Sequence, residues 1–281
     1  MSHPDLANPI PGSIAFIGGG NMARSLIGGL VARGSDAATI RVAEPVEALR
    51  GALFNDFGVR VSDHASEAVD GADVWLMAVK PQVMRSVCSD LAAQARAQRP
   101  VVITVAAGIT AAQLERWLGG DIAVVRAMPN TPSLLGVGIT GLFANGRVDA
   151  SQRAHAEALL GAVGATVWID DEAQMDAVTA VSGSGPAYLF LLAEAMQAAG
   201  IAQGLPPDAA RALVNQTLLG AATMLTQLGE PADVLRARVT SPGGTTQAAI
   251  ETFEAGGLRD LVDRAVAAAT VRGRELSAAN D

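Results

Sequence analysis

Ile14-Ala15-Phe16-Ile17-Gly18-Gly19-Gly20-Asn21-Met22-Ala23 decides the fold. Four apolar residues without alternation are the pattern of a strand buried on both faces, and a helical stretch follows the glycines. The spacing is G-x-G-x-x-A. A Cβ would collide with the tight backbone at Gly18 and with an approaching pyrophosphate at Gly20, while small Ala23 lets helix and strand pack closely. A helix that starts there offers free N–H groups to phosphates, an interaction of roughly 0.3–2 kcal/mol from the dipole alone. A glycine triplet also occurs in ordinary strand-to-helix turns. Here it follows the first strand, opens a helix and precedes a second strand, and that context predicts dinucleotide binding.

Outward from this loop, short β-branched runs alternate with helical periodicity. Ser13–Ile17, Ile40–Ala43, Val74–Val79, Val101–Val105, Ile122–Arg126 and Ile139–Phe143 read as strands. Asn21–Arg33, Glu47–Phe54, Pro81–Gln98 and Ala111–Leu118 read as helices between them, the last opened by a Thr110/Gln113 capping box. The alternation predicts a doubly wound α/β domain with a mainly parallel sheet over residues 1–169. After Val167–Ile169 no further β-type pattern occurs. Asp176–Val181, Ala187–Ala199, Asp208–Leu228, Ala232–Arg238, Thr246–Glu254 and Leu258–Leu276 all fit helices, so residues 170–281 are expected to form an all-α domain. The segment Ala209–Leu228 is apolar or small around most of its circumference, which predicts burial nearly all round. A domain of that size cannot hide several such helices from water, so a partner subunit is expected to cover part of them.

Composition removes several functions. The 281 residues are 50% hydrophobic with a net charge of −8, and no stretch concentrates basic residues. Nucleic acid and anionic membrane surfaces both require a positive face, so neither is an expected partner. One cysteine (Cys88) and three scattered histidines (His3, His64, His155) supply no disulfide and no metal site. The single tyrosine, Tyr188, is followed four residues on by Leu192, so no Tyr-x-x-x-Lys acid pair exists, and Lys80 is the only lysine. General acids and bases are scarce, which points to chemistry supplied by a bound cofactor. Met1–Pro11 carry no basic region or apolar run, and Val101–Ile109 and Ala187–Ala199 are too short or too polar to span a bilayer. A soluble, cytoplasmic protein is expected.

The strand ends carry the remaining candidates. Glu44 lies a little beyond the offset at which an acidic residue binds a ribose 2′-hydroxyl, which argues for NAD unless Arg41 or Arg50 turns toward the ribose. It also fits a solvated glutamate before a helix. In Ala78-Val79-Lys80-Pro81-Gln82 the lone lysine sits at the carboxyl end of a central strand, either as a cofactor contact or as a plain surface lysine. Val105-Ala106-Ala107-Gly108 ends the next strand with residues small enough for a nicotinamide or ribose to lie against the backbone. Met128-Pro129-Asn130-Thr131-Pro132 stiffens a loop carrying an amide and a hydroxyl. Two glycine-rich segments follow in the helical part, Ser182-Gly183-Ser184-Gly185-Pro186-Ala187-Tyr188 and Ser241-Pro242-Gly243-Gly244-Thr245-Thr246. A glycine pair at a helix entrance leaves N–H groups open to a phosphate or carboxylate, although Thr245 also fits a plain N-cap.

Taken together these segments resemble pyrroline-5-carboxylate reductases from Ile14 to about Leu276; the two glycine-rich segments are the specific match. The resemblance implies an N-terminal Rossmann domain, a helical domain that dimerises and assembly of dimers into decamers. It implies NADPH or NADH as cofactor, held by Gly18, Gly19, Gly20, Asn21, Met22, Ala78, Val79, Lys80, Pro81, Ala106 and Ala107, with Glu44 and Asn130 counted beside them. Substrate binding falls to Gly243, Gly244, Thr245 and Thr246, with Ser182 counted beside them, and Thr246 would place its hydroxyl against the ring nitrogen. Glu44 departs from a preference for NADPH. An asparagine that helps hold the adenine ribose in family members is Ala65 here, beside His64. The implied reaction adds a hydride to the cyclic C=N bond of 1-pyrroline-5-carboxylate, giving L-proline. The substrate carboxylate is expected on the N–H groups of Gly243, Gly244 and Thr245. Two other readings fit the nucleotide loop: a β-hydroxyacid dehydrogenase, which uses a lysine that this chain lacks after Lys80, and a non-catalytic nucleotide sensor.

Overall fold

A computed structural model describes residues 12–280. The expectation that Met1–Pro11 hold no leader, and His3 with it, lie outside them. Strand β1 (Ile14–Ile17) is buried along its whole length and alternates across the sheet. Ile14 and Phe16 join one apolar core with Leu26, Ile27 and Leu76. Ala15 and Ile17 join the other with Trp75, Met77 and Leu91. A strand sandwiched in this way needs apolar residues on both faces, which is why its sequence does not alternate.

The chain continues through α1 (Asn21–Ala32), β2 (Ile40–Ala43), α2 (Glu47–Phe57), β3 (Arg60–Ser62), α3 (Ala65–Ala68), β4 (Val74–Met77), α4 (Pro81–Gln98) and β5 (Val101–Thr104). It then forms α5 (Ala111–Trp117), β6 (Ala123–Met128), β7 (Gly138–Ala144), α6 (Ala150–Gly161), β8 (Gly164–Trp168) and α7 (Met175–Val178). The strands order as β3-β2-β1-β4-β5-β6-β7-β8. Pairing is parallel up to β6, antiparallel between β6 and β7, and parallel again between β7 and β8. The order reverses between β1 and β4, and ligands of such sheets bind in the crevice at that switch point. Pro81 opens α4 at a position where no N–H is needed. The capping box of α5 forms as predicted, with Gln113 N donating to Thr110 Oγ1 at 3.1 Å and Thr110 N to Gln113 Oε1 at 2.8 Å.

Four elements were not read as such in the sequence, among them β8, which has no buried position along Gly164–Trp168. β3 is a three-residue edge strand with no buried position, and α3 is a single turn. α6 begins at a full capping box, Asp149 with Gln152, and that signal was present in the sequence.

The described residues divide into two compact bodies. One comprises residues 12–184 with 268–280, the other Gly185–Ala267. The expected boundary lay at residue 170. Residues 170–184 pack with the sheet because the guanidinium of Arg126, 5% exposed, holds Glu172 at 3.3 Å and Asp176 at 3.6 Å. Glu172 Oε1 also accepts from the Ala111 N–H at 2.7 Å. The helical body carries α8 (Gly185–Ala202), α9 (Pro207–Gln227), α10 (Ala232–Arg238) and α11 (Thr245–Ala255). α12 (Leu258–Ala279) starts there and ends in the sheet body. Within the sheet body the end of α12 meets the β5–α5 loop, where Asn280 Nδ2 donates to Gly108 O at 3.2 Å.

The expected burial of α9 is absent in the single chain. Leu213 and Leu219 are 57% and 60% exposed, and Phe190 of α8 is 68% exposed. Among the described residues no helix is long and apolar enough to cross a membrane. Cys88 lies buried in α4, and burial pushes its thiol up to about 12, far from a reactive thiolate. Glu172→Ala leaves Arg126 with one carboxylate and Ala111 without its acceptor. It should cost about 2–4 kcal/mol, read as a lower midpoint of urea unfolding.

Candidate functional site

The carboxyl ends of β1, β2, β4, β5 and β6 lie side by side, because Ile17 pairs with Ala43 and Met77, Met77 with Thr104, and Thr104 with Arg126. That register brings the loops Gly18–Met22, Ala78–Pro81, Ala106–Ala107 and Met128–Asn130 to one sheet edge. Gly18 is wedged there at φ +101°, its N–H donating to Ala43 O at 2.8 Å. A Cβ on Gly18 would stand 2.7 Å from Ala78 O, so only glycine fits between β2 and β4. Gly20 is the opposite case: a Cβ there would meet nothing within 4 Å. Gly20 is the N-cap of α1 and has no side chain to fold back, so the first-turn N–H groups of Asn21, Met22 and Ala23 stay open beside that space. An exposed backbone next to three free donors fits a pyrophosphate.

Glu44 points inward. It is 7% exposed, and its Oε2 accepts from Gly19 N at 2.8 Å while Oε1 accepts from Val46 N at 2.9 Å. Its carboxylate therefore fastens the glycine loop to the end of β2. Arg50, offered in the sequence as a possible ribose partner, folds over the same turn and donates to Glu44 O at 2.8 Å. Arg41 turns to the Asp70 carbonyl. Lys80 is exposed at the N-cap of α4, where its side chain makes no hydrogen bond or ion pair among the described residues. Ala106 is buried, with its N–H on Thr104 Oγ1 at 3.2 Å, and Ala107 is exposed.

Asn130 serves as a tie between loops. Its Oδ1 accepts from Ile139 N at 3.0 Å, and its Nδ2 donates to Ser182 O at 3.1 Å. The segment it holds, Thr179–Gly183, is one π-helical turn, closed by Ser184 N on Thr179 O at 2.8 Å. The Ser182 hydroxyl donates to Val178 O at 2.9 Å. Such wide turns expose backbone where an α-helix would hide it, and they recur at functional sites. The sequence marked both segments without showing that one side chain joins them.

In the helical body, Ser241–Gly244 form a tight turn, with Gly244 N donating to Ser241 O at 3.0 Å. Pro242 at its second position and Gly243 with φ +70° at its third match the requirements of a type II turn. Gly243 N donates to Gln247 Oε1 at 2.7 Å. Two of the three amides assigned to the substrate carboxylate, those of Gly243 and Gly244, are therefore occupied. The open donors lie further along. Gly244 is the N-cap of α11 and provides no side-chain cap, so the N–H groups of Thr245, Thr246 and Gln247 have no acceptor among the described residues. The Thr246 hydroxyl is likewise unengaged, and the residue is half-buried.

Residues 172–276 match the family model described as pyrroline-5-carboxylate reductase dimerisation. Residues 13–108 match one described as NADP oxidoreductase, coenzyme F420-dependent. The pyrroline-5-carboxylate reductase of Pseudomonas aeruginosa is 52% identical, over 94% of this chain and 96% of its own. The chain belongs to the pyrroline-5-carboxylate reductase family. A solved reductase structure from Coxiella burnetii is similar over 95% of this chain and 98% of its own, with a TM-score of 0.92 and 43% identity. The Plasmodium falciparum reductase, solved with NADP bound, covers 96% of this chain and 100% of its own, with a TM-score of 0.83 and 26% identity.

This chain thus carries its glycine loop and its Ser-Pro-Gly-Gly turn on separate bodies, each with first-turn amides left unpaired among the described residues. Glu44→Ala removes the acceptor that holds Gly19 and should raise the KM for NADPH and for NADH by a similar factor, roughly 5- to 10-fold. A shift confined to one of the two nucleotides would instead place the carboxylate on the ribose.

Proposed function

We propose that the chain reduces the C=N bond of 1-pyrroline-5-carboxylate to give L-proline, with NADPH or NADH as the electron donor. The observation that carries the substrate side is the glycine-capped start of α11. Its three unpaired amides suit a carboxylate, and the unengaged Thr246 hydroxyl stands among them. In this reading Gly20 and the amides of Asn21, Met22 and Ala23 hold the pyrophosphate. Ala78 to Pro81 and Ala106–Ala107 line the ribose and nicotinamide, and Lys80 offers the cation nearest to them in sequence. The bound nucleotide supplies the hydride.

The remaining chemistry is positional. The carboxylate rests on the amides of Thr245, Thr246 and Gln247, at the positive end of α11. Thr246 turns its hydroxyl to the ring nitrogen and fixes which way the ring lies. An alkyl hydroxyl is too weak an acid to release a proton at neutral pH, so the imine arrives protonated or takes its proton through water. Proximity is then the main term, and holding two reactants in register is worth about 7–11 kcal/mol. Ser182, within the π-helical turn, is counted as a further substrate residue, and Asn130 acts by holding that turn.

The working unit in this reading is a homodimer. Exposed Phe190, Leu191, Leu213, Leu219 and Leu261 form apolar surface that a soluble monomer does not leave to water. The family model matched over residues 172–276 bears the word dimerisation. Further assembly of dimers into decamers belongs to the same proposal, as does the cytoplasm, where reduced nucleotides are generated.

Two measurements test the reading. The purified chain should oxidise NADPH or NADH only when 1-pyrroline-5-carboxylate is present; nucleotide binding without turnover would establish a sensor instead. Thr246→Ala should lower kcat/KM by roughly 10²-fold, the usual loss for one preorganised polar contact. Unchanged steady-state constants would remove Thr246 from the mechanism.

A further inference from the structure

In a capping box, a glutamine at the third helical position accepts from the N-cap N–H, and the N-cap side chain takes the N–H of the third residue. The start of α11 departs from both halves. Gly244 has spent its N–H on Ser241 O, at 3.0 Å. Gln247 therefore reaches one residue further back and accepts from Gly243 N at 2.7 Å. Gly244 has no side chain to answer, so the Gln247 N–H stays open with those of Thr245 and Thr246.

We propose that Gln247 is a positioning residue that sets where on the glycine turn the substrate carboxylate binds, and that Glu251 orients it. The proposal rests on the substrate reading of Ser241–Thr246. A free Gly243 N–H would be a second anion donor on the far side of the turn, and a carboxylate drawn to it would leave Thr246. Occupying it leaves the helix start as the single set of open amides. The same bond holds Gly243 at φ +70°, in a turn whose glycine is otherwise free to move. The amide is directional. Its Nε2 donates to Glu251 Oε1 at 2.7 Å, one helical turn on, so Oε1 must face the Gly243 donor. Rotated by half a turn, the amide would set a donor against a donor.

Three variants separate this role from plain packing, each measured for kcat, for KM toward imine and nucleotide, and for L-proline binding by calorimetry. Gln247→Leu should raise the imine KM and weaken L-proline binding by roughly 5- to 10-fold, the worth of one neutral hydrogen bond. Its kcat should fall less than about threefold and its nucleotide KM should hold, since each reports another part of the cycle. Glu251→Ala should move the imine KM in the same direction by less. Q247E paired with E251Q preserves both hydrogen bonds and the net charge, and should return the imine KM to within about threefold of the parent. An unchanged imine KM in Gln247→Leu, or a rise shared by imine and nucleotide with no rescue by the pair, would overturn the proposal. A parent chain that turns over no imine would instead overturn the assigned reaction.

Discussion

Backbone N–H groups that the helices cannot satisfy internally are what the rest of this molecule is arranged around. Every α-helix leaves its first amides without partners, and most proteins cover them with a serine, threonine or aspartate. Here α5 and α6 are capped in that way, by Thr110 and Asp149. α1 and α11, by contrast, have glycine at the N-cap and no covering side chain. Other helices, such as α2 and α9, also start without a side-chain cap, behind Val46 and Pro206. What sets α1 and α11 apart is the glycine at the N-cap, which leaves the space beside the amides open. An open helix start costs stability in the unliganded protein, and an anion recovers it on binding.

Neighbouring side chains trim those donors rather than merely framing them. Glu44 removes Gly19 from the set at the first glycine loop, and Gln247 removes Gly243 from the set at the Ser-Pro-Gly-Gly turn. Each time a buried or half-buried acceptor takes the amide just ahead of the helix and leaves the helix's own amides free. The number of donors is thus fixed by side chains that need not touch a ligand. Asn130 extends the principle to a carbonyl, holding the π-helical turn through Ser182 O.

Much of the fold was legible because burial on both faces of a parallel sheet leaves a plain mark. β1 and β4 appear as unbroken apolar runs, β5 as one up to its final Thr104, and α4 occupies the span that its proline start announced. β3 left no such mark: three edge residues with Arg60 in solvent need no apolar pattern. The π-helical turn was also invisible, since local propensities do not distinguish its bond from an α-helical one. The body division differed for a physical reason. Periodicity changes where the strands stop, whereas packing follows the Arg126 cluster, which keeps residues 170–184 with the sheet.

By itself the sequence determined the doubly wound sheet, the placement of glycines at two helix starts and the family these motifs signify, because each depends on residue types at short spacing. Tertiary structure alone decided which donors in those glycine segments remain available. That outcome depends on side chains arriving from elsewhere: Glu44 from the next strand, Gln247 from the following helical turn, Asn130 from a loop fifty-two residues before the carbonyl it holds. An amide's partner is a matter of distance in space, and spacing along the chain does not report it.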